Sequence, residues 1–191
     1  MGTNNLETIF FESTHYWQNW LEKNHKNPVG IWLKFAKKES GIISVTYDEA
    51  LKIALCWGWI DGQKKSFDNL YWLQKFTARS PKSIWSKRNC EIVTQLIAEG
   101  KMQPAGLEKI ESAKKDGRWE KAYDSPKNRV IPADFLKELA NNKAAETFFK
   151  TLNKTNIYAI TWRLQTAKKP ETREKQMKKI LEMLTNKKSF H

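Results

Sequence analysis

Hydrophobic positions recur along most of this chain at helical spacing, with one interval where they alternate instead. Residues 14–25 place Trp17, Trp20 and Leu21 on one helical face behind Ser13, an N-cap residue type. Asn27-Pro28 ends that helix. Between residues 29 and 37, Ile31, Leu33 and Phe35 alternate with Trp32 and Lys34, the period of a strand, and Glu39-Ser40-Gly41 turns the chain. Thr46-Tyr47-Asp48-Glu49 has the spacing of a capping box and opens a helix carrying Ala50, Leu51, Ala54 and Leu55 inward as far as Gly58. Residues 60–67 and 70–78 then read as a hairpin turning at Asp68-Asn69.

Beyond the hairpin the pattern is helical. Ser83 is placed to cap a helix over residues 84–99 that stops at Gly100, and Pro104 opens another to Asp116-Gly117. Residues 118–123 make a short piece, and 124–131, DSPKNRVI, read as a linker. Helices are expected at 132–140, 143–152, 155–167 and 170–185, with Pro132 and Pro170 in first turns. The fold class is α+β with helix predominant: a small antiparallel sheet with flanking helices plus a C-terminal helical subdomain. The expected division is an N-terminal domain over 1–123, the linker, and the helical subdomain over 132–188.

Composition narrows the function classes. The 191 residues carry a formal charge of +13, which attracts nucleic acid, anionic headgroups or acidic partners, although lysine is also the usual solvated surface cation. By count, residues 120–191 hold 16 Lys or Arg against 8 Asp or Glu, so +8 of the +13 lies there. Nine tryptophans and nine phenylalanines are too many large rings for a disordered chain. No apolar run approaches membrane-spanning length, and residues 1–11 lack the features of a secretory signal, so a cytoplasmic protein is expected. Cys56 and Cys90 fit neither a metal spacing nor a redox pair and are expected as buried, reduced thiols. His15, His25 and His191 are scattered, so no metal and no cofactor is expected. The chain carries no phosphate-binding glycine loop, no nucleophile elbow and no HExxH.

Two segments carry candidate chemistry. In residues 54–63, ALCWGWIDGQ, Asp61 stands among tryptophans, where a carboxylate either anchors structure or serves as the acid of a site. Residues 79–89, RSPKSIWSKRN, gather four cations and three hydroxyls where a strand turns into a helix, an arrangement suited to an anion. Hairpin pairing would put Asp61 across from Thr77 to Arg79 and allow an Asp61–Arg79 ion pair. The candidate anion pocket is therefore Asp61, Arg79, Lys82, Ser83, Trp85, Ser86 and Asn89. No residue is assigned as catalytic. Tyr71-Trp72-Leu73-Gln74-Lys75-Phe76 would suit base stacking on a strand, or would simply be core.

Several of these segments together carry a family resemblance. Residues 46–50 (TYDEA), 54–62 (ALCWGWIDG), 82–89 (KSIWSKRN), Gly117-Arg118-Trp119 with Ala122-Tyr123, and 167–173 (AKKPETR) resemble the YdeI/OmpD-associated, bacteriocin-protection family along nearly the whole chain. Ala78 departs from that pattern, which usually has proline before the arginine, and the C-terminal region is richer in lysine. The resemblance implies a part in tolerance to envelope-directed stress, such as bacteriocins or antimicrobial peptides, and carries over no catalytic residues. The expected function is a bacterial stress-tolerance protein that binds an anionic ligand or partner. Nucleic-acid binding and an enzyme with a pocket centred on Asp61 are the alternatives.

Overall fold

The computed structural model describes residues 6–125 and 128–191 and divides into two units. The first comprises residues up to Ser83 together with Asn89–Glu120; the second comprises Ile84–Arg88 and Lys121–His191. Pro126 and Lys127, inside the expected linker, lie outside the described residues.

The first unit is a four-stranded sheet with helices. In chain order it holds β1 (Thr8–Phe10), α1 (Thr14–Asn24), β2 (Ile31–Ala36), a single 3₁₀ turn (Lys38–Ser40), α2 (Tyr47–Cys56), β3 (Trp59–Ser66) and β4 (Tyr71–Ala78). Most of α3 (Lys87–Ala98) and all of α4 (Pro104–Lys115) follow. The spatial order is β1-β2-β4-β3. The three expected strands pair antiparallel, β4 between β2 and β3. β1, too short to show a period, adds a parallel edge to β2, so the sheet is mixed.

Alternation along β2 decides which side of the sheet becomes core. Ile31, Leu33 and Phe35 are buried, and the register sets them beside Phe76, Gln74 and Trp72 of β4. Aromatic packing ties α1 to this side: Trp17 lies 5.7 Å from Phe76 and 6.4 Å from Trp59, ring centre to ring centre, both edge-on. A buried indole must find an acceptor for its N–H. Trp17 donates to the Ala50 carbonyl at 3.0 Å, and Trp59 donates to the His25 carbonyl at 2.7 Å. These two bonds fasten sheet, α1 and α2 to one another.

Local signals account for the ends of α2. Thr46 and Glu49 form the capping box, each side chain bonding the other's backbone N–H. At the other end Gly58 takes φ +72°, a left-handed conformation that other residues adopt only with strain. The chain enters β3 there.

The second unit is helical: α5 (Ala133–Ala140), α6 (Lys143–Phe149), α7 (Lys154–Thr166) and α8 (Pro170–Thr185). Phe135, Leu139, Phe149, Ile160, Leu164, Ile180 and Leu184 form its core. Asn142 and Asn153 cap α6 and α7 through their side-chain oxygens, and Pro170 starts α8. At its N-terminal end Ser86 bridges to Tyr123. Asp124, buried, is held there by the Lys87 ammonium at 2.7 Å, the Gln165 amide at 2.7 Å and the Val130 N–H at 3.2 Å. No helix among the described residues is long and apolar enough to cross a membrane.

Candidate functional site

Asp61 does not meet Arg79. The β3–β4 register sets Asp61 opposite Phe76, and its carboxylate accepts a hydrogen bond from the Tyr47 hydroxyl at 2.8 Å. Arg79 lies three positions beyond Phe76, an odd step that points to the other side of the ribbon, and its backbone N–H bonds the Gly58 carbonyl. The expected ion pair is thereby replaced by a phenol–carboxylate bond. Asp61 is half-buried at the mouth of β3 and not sealed beneath the tryptophans.

The basic turn is built differently from the sequence expectation. α3 starts at Lys87, so Ser83 does not cap it. Ser83 instead closes its own turn with Ser80: the Ser83 N–H donates to the Ser80 carbonyl, and the Ser80 N–H donates to Ser83 Oγ, each at 3.0 Å. Arg118 fixes this turn from a distance in sequence. One guanidinium nitrogen reaches the Ser83 carbonyl at 2.9 Å, while Nε is paired with Asp116 at 2.7 Å. Sequence reasoning used Arg118 only as part of a family motif and missed its role as the clasp of the turn. Of the remaining candidates, Arg79 and Asn89 are buried in the first unit, and Lys82 is exposed there. Trp85 and Ser86 are buried and belong to the second unit. Trp85 is thus a core residue.

A cavity of about 460 Å³ lies in the first unit between α1, α2 and α3. Ile53, Trp57, Ile92 and Leu96 give it apolar walls, and Lys52, Glu49, Glu99 and Lys101 charge its rim. Both carboxylates are engaged. Hydrogen bonds from Thr46 hold Glu49 below the usual carboxylate range, and those from Lys101 and Gln95 do the same for Glu99. Cys56 also lines the cavity, but burial pushes its thiol up to about 11, which keeps it protonated and poorly nucleophilic at neutral pH. Cys90, expected to be buried, is only half-buried; its partial burial still raises the thiol to about 11, against the lowering influence of Arg79. The cavity thus joins apolar and charged lining, and its thiol is not an activated nucleophile.

A second cationic surface lies on the sheet. The side of the sheet away from Trp17 carries Thr8 and Phe10 on β1, Trp32, Lys34 and Ala36 on β2, Tyr71, Leu73, Lys75 and Thr77 on β4, and Ile60 and Lys65 on β3. None of these positions is acidic. A bulge between Asp61 and Lys64 sets this arrangement, shifting the register so that Lys65, opposite Leu73, falls on this side. The carbonyl of Gly62, freed by the bulge, is taken up by the buried Gln74 amide at 2.8 Å. Lysines lie over the rings: Lys34 is 4.3 Å from the Tyr71 ring centre and within 5.7 Å of Phe10 and Phe67, and Lys65 is 4.1 Å from Trp32. Each such contact contributes on the order of 0.5–1 kcal/mol at exposed sites, little enough for an anion to draw the ammonium away. Among the described residues no group of three or more His, Cys, Asp or Glu side chains could hold a metal ion.

Comparison with known families divides the chain. Residues 9–109, more than half of it, match the family described as a domain of unknown function (DUF8412). The chain belongs to the DUF8412 family. Its DUF8412 region takes in all of the sheet but Thr8, the cavity, and the sequence motifs at 46–62 and 82–89. Residues 128–187 match the family described as Bacteriocin-protection, YdeI or OmpD-Associated. The resemblance read from the sequence therefore holds over the second unit's helices and includes the motif at 167–173. Nothing among curated proteins or solved structures matches this DUF8412 chain.

Proposed function

We propose that this protein acts by binding an anionic ligand or partner, in a tolerance role of the kind the bacteriocin-protection family name describes. The observation that carries this reading is the sheet face on which Lys34, Lys65 and Lys75 sit among aromatic rings with no carboxylate at any of its positions. Elsewhere several cations are neutralised locally, as in Arg118–Asp116, Lys87–Asp124 and Arg173–Asp134. A formal charge of +13 also repels cationic peptides, so protection on this reading works through an anionic partner and not by capture of the peptide.

Calorimetric titration with inorganic polyphosphate tests it. The wild-type protein is expected to bind, and the Lys65→Glu/Lys75→Glu variant to lose at least tenfold in affinity. Unchanged affinity in the variant would remove the sheet face as the site. A cell-based counterpart follows: expression should raise survival under bacteriocin challenge, and the same variant should abolish the gain.

A further inference from the structure

The charges of the sheet face are interleaved with rings in two groups, which bears on what kind of anion it takes. Trp32 lies beneath Lys65 and opposite Lys75 in the ladder. Tyr71 and Phe10 meet edge-on at 5.7 Å around Lys34, with Phe67, 53% exposed, at the hairpin tip. In the β2–β4 register Tyr71 and Lys75 are four residues apart, so the two groups stand about 13 Å apart along the strands. A small anion would use the lysines and leave the rings idle. A flexible chain of phosphates carrying flat, apolar bases would use both. Duplex bases are already stacked on one another and offer no face to a ring on a sheet surface, so the chain must be single-stranded.

We infer that the sheet face of residues 8–10, 31–36, 59–66 and 71–78 is a docking surface for single-stranded nucleic acid. Bases stack on Trp32 and on the Tyr71–Phe10 group; Lys34 and Lys65 leave the rings and, with Lys75, engage phosphates. The inference rests on the anion-binding reading and names the partner of that same face.

Fluorescence anisotropy of the full chain with labelled single-stranded twelve-mers of deoxythymidine and of uridine tests it, with a duplex of the same length and inorganic polyphosphate as competitors. Expected are single-strand binding tighter than duplex binding and at least fivefold weaker binding for Trp32→Ala and Tyr71→Ala. Lys65→Gln should reduce the slope of log affinity against log salt by about 0.7. Phe67→Ala, at an exposed ring, supplies a variant whose folding is not in question and should weaken binding at least twofold. Oligonucleotide binding that is indifferent to all three ring substitutions, or equal for duplex and single strand, would overturn the inference. If polyphosphate binds through Lys65 and Lys75 while oligonucleotides do not bind, the inference falls and the anion-binding reading stands. If neither binds, both fall.

Discussion

Gly106→Ala should unfold the first unit more easily, although the same change favours a helix. Gly106 lies in the first turn of α4, where the end of α2 comes down on it. A Cβ built there collides with the Cys56 carbonyl oxygen and stands 2.9 Å from its carbon and 2.7 Å from Met102 Cε. Met102 is flexible and can yield. The Cys56 carbonyl is backbone, and it already accepts the Gln103 N–H at 3.1 Å. From the other side Gly58, with φ +72°, would bring a Cβ to 2.8 Å from the Ala105 carbonyl oxygen. Neither contact can be relieved without separating α2 from α4. Alanine gains about 1 kcal/mol over glycine in helix propensity. Against this stand about 1–3 kcal/mol or more for overpacking and about 0.5–1.5 kcal/mol for the strained hydrogen bond. The net expectation is a loss of about 1–3 kcal/mol, or a urea midpoint lower by roughly 1 M at an ordinary slope. Tryptophan fluorescence is the assay, since Trp17, Trp20, Trp32, Trp57, Trp59, Trp72 and Trp119 all lie in the first unit. Gly41→Ala is the control: φ is +69° and nothing lies within 4 Å, so it carries left-handed strain without crowding. A Gly106→Ala midpoint equal to or above wild type would refute the close approach of the two helices.

Two further outcomes are expected. Burial acts to raise the Asp124 carboxyl, but the bonds from Lys87, Gln165 and Val130 outweigh it and hold it below the ordinary aspartate range. Its contribution is therefore full above the unfolded aspartate pKa of about 3.9 and is lost as pH falls through the depressed native value. Asp124→Asn should cost the second unit about 1–3 kcal/mol at pH 7 and flatten its acid unfolding below pH 4, read by circular dichroism; an unchanged acid profile would contradict this. With both thiols raised to about 11, iodoacetamide at pH 8 should label Cys56 and Cys90 at least a hundredfold more slowly in the native protein than in urea. Fast native labelling at either position, located by peptide mass spectrometry, would contradict the burial of Cys56 or the partial burial of Cys90.

Much of the fold was legible because its signals are local. The Thr46–Glu49 capping box, the alternation of Ile31, Leu33 and Phe35, and the prolines opening α4 and α8 each act within a few residues, and the elements they predict form. What was missed depends on partners distant in sequence. β1 is only three residues long and is held by β2 and by the Trp32 N–H donating to the Glu7 carbonyl. Ser83 has the residue type of an N-cap, but Ser80 and Arg118 commit it to a separate turn. The bulge after Asp61 fixes which residue that carboxylate faces, and no spacing in the sequence announces it. The sheet face was half visible, since Trp32 and Lys34 fall on the outward side of β2. Their partners Lys65, Phe67 and Tyr71 join them only through strand pairing.

The central claim is that the sheet face, and not the overall charge, holds the anion. The most direct test compares two variants of equal net charge: Lys65→Glu/Lys75→Glu on the face, and Lys175→Glu/Lys179→Glu on the exposed side of α8. Both lower the charge by four, and both would be titrated with polyphosphate at physiological salt. At least a tenfold loss is expected for the first and less than a twofold change for the second. Equal losses in the two variants would contradict it and reduce the binding to the diffuse field of a +13 protein.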